Sequence, residues 1–361
     1  MKKVIFCTNL PSPYRVDFFN ELGMYCDLIV LYERHSSSER NAAWRGTEAE
    51  NFEEVYLDLK LIGVDCSKGS ALKDYIKGHQ SDVLIFTNYV SPATMKAILW
   101  CRLHGRKYYV EYDGGFNKKD SFIKALLKKL LLKGAIGHLT TADEHIKYLL
   151  SLDIPQEKIH KYPFTSVKAQ DIANAQEALQ EGKEYYRNKL VIPEDKVVLA
   201  VGQFIPRKGF DILMSAAQNL DKSIGIYIIG GTPTNEYISL KERLKLDNVH
   251  FIGFKTKAEL AEYYLAGDVL AHPTREDIWG LVVNEAMGFG LPVVSSDRCI
   301  AALEMIEQGV NGYIYKNEDV KGLTEALVHS LNISSSSECF SRTEEYTIES
   351  MVNVHRNILS L

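Results

Sequence analysis

Short, almost wholly apolar runs alternate along this chain with longer segments whose apolar positions recur at helical spacing. Residues 4–10, 28–32, 82–87 and 107–112 are rich in Val, Ile, Phe and Tyr and read as strands, and 137–141 and 158–162 continue the series. Residues 15–23, 69–78 and 92–104 between them read as helices. Strands without polar alternation, separated by helices, predict a parallel sheet covered on both faces. Around 165–191 the pattern turns polar and rich in Ala, Gln and Glu, as expected of a helical bridge. A second α/β series follows, with strands expected at 196–201, 225–229, 249–252, 268–272, 291–295 and 313–315. Residues 334–337 read as a short Ser-rich loop, and 343–361 as a terminal helix. The expected division is a first domain over 1–165, a helical linker over 166–195, a second domain over 196–340, and a C-terminal helix over 341–361 that packs back on the first domain.

The length of 361 residues agrees with two domains. The formal net charge is -5, with 42 Lys+Arg against 47 Asp+Glu, so there is no global basic field to hold nucleic acid. No apolar run approaches the roughly 20 residues that span a bilayer. Six scattered cysteines without a C-x-x-C pair suit reduced thiols in a cytoplasm, and no metal ligand set is visible. The chain lacks G-x-G-x-x-G after a strand, G-x-x-x-x-G-K-[ST], H-E-x-x-H and G-x-S-x-G, which lowers dinucleotide, P-loop, zinc-protease and hydrolase readings.

The most informative segment is His272-Pro-Thr-Arg-Glu-Asp277-Ile-Trp-Gly280-Leu-Val-Val-Asn-Glu285, in which a strand ends, a polar loop follows and Gly280 opens a helix. Eight residues at about 100° each bring Asp277 within about 80° of the face that carries Glu285. The helix start at Leu281 and Val282 offers free N–H groups to a phosphate, and a carboxylate two turns on is placed to accept from ribose hydroxyls. Taken alone, Asp277 is an ordinary helix cap, Glu285 a solvated helix residue and Asp113-Gly114-Gly115 an ordinary turn.

The stretch resembles the E-x7-E signature of the group 1 (family 4) glycosyltransferases, with Asp277 in the first acid position and Glu285 in the second. Val201-Gly202-Gln203-Phe204-Ile205-Pro206-Arg207-Lys208-Gly209 is similar to that family's first strand and loop of the nucleotide domain, and Phe251-Ile252-Gly253-Phe254 to its next turn. Asn9-Leu-Pro-Ser-Pro13-Tyr14-Arg15 resembles the acceptor-side loop of a subset of these enzymes. The resemblance implies an α/β fold of the GT-B class, two Rossmann-like doubly wound domains facing across an inter-domain cleft, with donor held mainly by the second and acceptor by the first. It implies retention of anomeric configuration by front-face displacement, without metal or cofactor beyond the donor substrate, a UDP-sugar or GDP-sugar. Lys208 matches the lysine on the donor pyrophosphate and Glu285 the ribose-binding glutamate. Asp277 matches the acid near the donor sugar. Gly202, Gln203, Gly280, Leu281 and Val282 complete the donor-binding set. Gln203 stands where the family usually has an arginine, and Arg207 is the candidate replacement cation. Asp113 is nearest to the position where many relatives carry a histidine beside the reacting sugar. Pro13, Tyr14 and Arg15 fall on the acceptor side.

The acceptor expected is a glycan or polyprenyl-linked sugar of surface polysaccharide synthesis. Rival readings are another GT-B enzyme, an epimerase or a glucan synthase, and a non-catalytic nucleotide-sugar-binding subunit. Residues 118–133 carry a stripe of Phe122, Ile123, Leu126, Leu127, Leu130 and Leu131, among six lysines and Asp120. Two readings stand: a helix packing its stripe on the sheet with solvated lysines, or a peripheral contact with the inner face of an anionic membrane.

Overall fold

A strand that is apolar at every position needs cover on both faces, and the strand arrangement of the computed structural model provides it. The structure describes residues 1–35, 48–63, 66–116, 121–333 and 335–361, without the side chains of 122–124. The chain divides into two units, one of Met1–Thr165 with Ile348–Leu361, the other of Ser166–Thr347.

The strands of the first unit are β1 (Lys3–Thr8), β2 (Asp27–Tyr32), β3 (Glu53–Tyr56), β4 (Lys60–Gly63), β5 (Cys66–Lys68), β6 (Val83–Phe86), β7 (Tyr109–Glu111), β8 (Gly137–Thr140) and β9 (Ile159–Lys161). Seven of them form one sheet in the order β3-β2-β1-β6-β7-β8-β9, parallel at every pairing, while β4 and β5 make a separate antiparallel pair. Val4, Ile5 and Phe6 of the central β1 are fully buried. The helix Ile348–Leu359 packs on the helix Pro13–Gly23, with the His355 ring 4.8 Å from both Phe18 and Tyr162.

The second unit holds β10 (Lys196–Val201), β11 (Ile224–Ile229), β12 (Val249–Ile252), β13 (Val269–His272), β14 (Val293–Ser296) and β15 (Gly312–Tyr315), again all parallel, in the order β12-β11-β10-β13-β14-β15. Val197 to Ala200 of β10 are fully buried. The helices Ala169–Ala178 and Lys183–Leu190 are part of this unit, because Arg187 bonds the Ala266 and Asp195 carbonyls and the Asp268 carboxylate. In both sheets the strand order reverses beside the first strand, between β1 and β6 and between β10 and β13. Loops leave the carboxyl ends of such neighbours in opposite directions, which opens a ligand crevice there.

Three local expectations change. β3 and the β4–β5 pair carry too few consecutive apolar residues to be read from sequence. The expected single helix over 343–361 is broken into Ser336–Glu344 and Ile348–Leu359. Tyr346 lies at the break, buried 6.2 Å from Trp279 under the Arg342 guanidinium, and the chain passes from the second unit to the first directly after it. Ser336 opens a helix instead of closing a loop, and Ser334 lies outside the described residues.

The leucine stripe is divided. In the helix Phe122–Leu132, Leu131 and Leu132 are fully buried, but Leu126, Leu127 and Leu130 are 59%, 40% and 49% exposed. Lys129 and Lys133 pair with Asp153, and Lys128 donates to the Tyr148 hydroxyl at 3.0 Å. Lys118, Lys119 and Asp120, like the side chains of Phe122, Ile123 and Lys124, lie outside the description. Among the described residues no helix is long and apolar enough to cross a membrane.

Two buried histidines of the first unit set an acid limit. His138 Nδ1 lies 2.9 Å from the Tyr112 hydroxyl and His145 Nδ1 2.9 Å from the Thr140 hydroxyl, and burial, aided by nearby lysines, lowers each ring to about 4 from 6.5. The unfolded chain therefore binds more protons between about pH 6.5 and about pH 4, and stability falls with pH across that window, by about 3 kcal/mol per ring at most. Melting followed from neutral to acidic pH should show this fall, and combining His138→Gln with His145→Gln should flatten it whatever the melting temperature at neutral pH.

Candidate functional site

The loops that follow β10 and β13 are joined backbone to backbone. Gly202 directly follows β10, and a Cβ at Gly230, just after β11, would lie 1.9 Å from the Gly202 carbonyl oxygen. A Cβ at Gly209, where φ is +67°, would lie 2.0 Å from the carbonyl oxygen of Pro273. Only glycine permits these approaches. Between them the short helical turn Pro206–Lys208 is tied to the second loop, since the Arg207 carbonyl accepts from the Arg275 amide at 2.8 Å and from the Thr274 hydroxyl at 3.0 Å. Arg275 adds a clamp of its own on Asp211, with Glu318 on its other side.

This joinery delivers two cations to one carboxylate. Lys208 Nζ lies 2.6 Å from Asp277 Oδ2 and Arg207 NH1 3.4 Å from Oδ1, while His272 Nε2 is 3.2 Å from Oδ2. Burial pushes the Asp277 carboxyl up, but the His272 hydrogen bond and the Lys208 charge outweigh it and hold it well below the usual carboxylate range. The same burial lowers the His272 ring. Two permanent cations against one carboxylate leave a local surplus of positive charge.

The helix Leu281–Gly288 begins against this cluster. Its cap residue Gly280 has φ +105°, and a Cβ there would be 2.5 Å from Cys299 Sγ, 3.5 Å from His272 Nε2 and 3.9 Å from Asp277 Cβ. No side chain caps the helix, so the Leu281 and Val282 amides have no intrahelical acceptor and present the positive end of the helix. An anion docked there would meet backbone donors, Lys208 and Arg207 together. Asp277 is thus a partner of the two cations rather than a cap.

One turn beyond, Glu285 accepts from Ser166 Oγ at 2.9 Å and faces the Tyr264 hydroxyl at 3.4 Å. Burial raises its carboxyl, against the Ser166 hydrogen bond. Gln203 is exposed at the mouth of the β10 loop. Sequence reasoning missed Gly230, Ser166 and Tyr264, and it read His272 only as a structural residue at a strand end. The pair Gly230-Gly231 directly after an apolar strand was a usable signal for the first; the others are met only in three dimensions.

In the first unit, Pro13 starts the helix Pro13–Gly23 and Tyr14 packs edge-on to Phe164 at 5.5 Å. Arg15 is buried, bonded through NH1 to Glu111 Oε1 at 2.6 Å and through NH2 to Asp113. The expected acceptor-side arginine is thus committed to two carboxylates, one of them the expected Asp113. Among the described residues no group of three or more His, Cys, Asp or Glu is arranged to hold a metal ion.

Residues 182–344, which lie within the second unit, match the family model of the group 1 glycosyl transferases. The lipopolysaccharide glucosyltransferase WaaG of Escherichia coli (strain K12) is 32% identical over 164 residues, which are 44% of this chain and 43% of that protein. The chain spans about half the length of the curated relatives it matches. A glycosyltransferase from Rickettsia africae ESF-5 superposes with a TM-score of 0.78 at 14% identity, over 99% of this chain and 98% of that one. Anabaena Alr3699/HepE, in complex with UDP and glucose, superposes with a TM-score of 0.72 at 16% identity over 100% of both. The fold is the GT-B fold expected from the sequence, with two Rossmann-like halves.

The close loop contact makes a sharp contrast between glycines. Gly230→Ala should lower the melting temperature by several degrees, as roughly 2 kcal/mol or more of steric strain would. Gly253→Ala, where a Cβ meets nothing within 4 Å, should leave it unchanged.

Proposed function

We propose that this chain is a retaining glycosyltransferase that moves a sugar from a UDP- or GDP-sugar to a glycan or polyprenyl-linked acceptor in surface polysaccharide synthesis. The observation that carries this reading is the convergence of Lys208 and Arg207 beside the uncapped start of the helix Leu281–Gly288. That combination suits a diphosphate, and the match of 182–344 to the group 1 glycosyl transferases gives the diphosphate a chemical context. Lys208 and the helix-start amides stabilise the charge that grows on the leaving diphosphate. Arg207 supplies the second cation in place of the arginine absent at Gln203. Glu285, presented by Ser166 and Tyr264, accepts from the ribose hydroxyls, and Asp277 holds Lys208 in place and addresses the donor sugar. Asp113 hydrogen-bonds the reacting sugar or supports the positive charge that develops at its anomeric carbon, and the Pro13-Tyr14-Arg15 segment serves the acceptor side. In a front-face displacement the bond from anomeric carbon to phosphate oxygen breaks as the acceptor oxygen bonds the same face, and the departing phosphate takes the acceptor proton.

The chain would work in the cytoplasm at the inner membrane face. The reading rests on Leu126, Leu127 and Leu130, which stay exposed beside a lysine-rich segment that complements anionic lipid.

Two measurements test these readings. UDP or GDP should raise the melting temperature of the wild-type protein. Lys208→Ala should abolish most of that shift and slow turnover by roughly 2–4 kcal/mol of barrier, the magnitude of a lost oxyanion donor; wild-type turnover in that variant would refute the diphosphate assignment. In flotation with vesicles, binding should appear with anionic but not zwitterionic lipid and should be lost in the Leu126→Glu, Leu130→Glu double variant. Equal binding by that variant would remove the membrane contact.

A further inference from the structure

The first unit contains a buried chain of charges that starts on the helix Ile348–Leu359. His355 is fully buried, with Nδ1 2.8 Å from the Met351 carbonyl oxygen and Nε2 3.0 Å from Oε2 of Glu111. A carbonyl oxygen only accepts, so Nδ1 carries a proton. Glu111, also fully buried, accepts at Oε1 from Arg15 at 2.6 Å and from the Tyr162 hydroxyl at 3.3 Å. Burial pushes its carboxyl up, but Arg15 and His355 outweigh that and hold it at about 2. Oε1 is taken by the Arg15 guanidinium, which leaves Oε2 as the acceptor facing Nε2, so an acceptor oxygen stands against each ring nitrogen. Arg15 gives its other terminal nitrogen to Asp113.

With a proton on each of those ring nitrogens the charges run His355 positive, Glu111 negative, Arg15 positive, Asp113 negative, and they cancel. The first three side chains are at most 3% exposed, and Asp113 is 41% exposed, so the series ends at solvent. Although partly accessible, the Asp113 carboxyl is pushed up by its crowded surroundings, with Arg15 pulling it back. If the cation at 355 were removed, Glu111 and Asp113 would share one guanidinium, and the buried Glu111 would take the larger part of it.

We infer that His355 is a positioning residue: as an imidazolium it neutralises Glu111 and so frees the charge of Arg15 to hold Asp113 ionised and oriented. This rests on the role proposed for Asp113 beside the reacting sugar. His355 touches no substrate and acts through Glu111 and Arg15. The ring meets the Met351 carbonyl on its own helix, Phe18 from the helix Pro13–Gly23, Glu111 from β7 and Tyr162 from the segment after β9. Its ionisable neighbours are thus Glu111 and Tyr162, with Arg15 and Asp113 one contact further.

Two readouts test this on the full chain. In protein labelled with 15N-histidine, the His355 ring, assigned by its loss in His355→Gln or His355→Lys, should show both nitrogens protonated at about pH 7.5. A ring protonated at Nδ1 alone overturns the proposal. With UDP-glucose and GDP-mannose as donors, His355→Gln should lower kcat on the order of tenfold with donor KM within about twofold, and His355→Lys should recover part of the loss. Unchanged kcat in a folded His355→Gln protein overturns the positioning role, and so does His355→Lys, if it alone folds, showing no dependence of kcat on the altered cation. A wild-type protein that binds no nucleotide in the melting assay but has the doubly protonated ring would instead refute the donor reading, and the positioning role with it, while upholding the charge assignment.

Discussion

A carboxylate removed from water must find cations or lose its charge, because leaving it bare costs several kcal/mol. Asp277 meets that demand with Lys208 and Arg207 from the loop after β10 and with His272 at the end of the neighbouring β13. The loops reach it only because glycine at 209 and 230 lets backbone pass backbone where a side chain would collide, and Gly280 leaves room for the Cys299 side chain. Neutralising Asp277 thus fixes the two basic side chains before any ligand arrives. A ligand that meets donors already oriented spends little on ordering them.

The two units use one architecture for opposite electrostatic ends. Both place their charged residues near carboxyl ends of central parallel strands. In the second unit the sum leaves a cation in excess beside a helix start, which suits an anionic ligand. In the first unit the charges cancel from His355 outward and finish on a single accessible carboxylate. That arrangement suits a group whose ionisation and direction matter more than a net field.

Much of this was legible in the chain. Runs such as Val197 to Ala200 announce central parallel strands because nothing polar interrupts them. β3 was hidden because Glu53 and Glu54 make half of it, and an edge strand can leave such residues half-buried. Asp277 and Glu285 were visible through local spacing, Lys208 and Arg207 only through the family resemblance of the loop after Val201. Ser166 and Tyr264 were not, since no spacing rule relates them to Glu285 across 119 and 21 residues. Arg15 was seen at the right end of the right helix, but its carboxylate partners lie 96 and 98 residues away. The leucine stripe of 118–133 shows the general limit. Periodicity defines a face, but whether a neighbour covers it depends on the rest of the fold, and here Leu131 is covered while Leu126 and Leu130 are not.

The helix Ile348–Leu359 follows the entire second unit in the chain yet completes the first. On the ribosome, residues 1–165 emerge first but cannot close over Phe18, Tyr162 and Glu111 until some 180 further residues have been made. The second unit, contiguous in sequence, has no such wait and can finish first. The nascent protein therefore matures in the reverse of its reading order, and chaperone capture should concentrate on the half that was translated earliest.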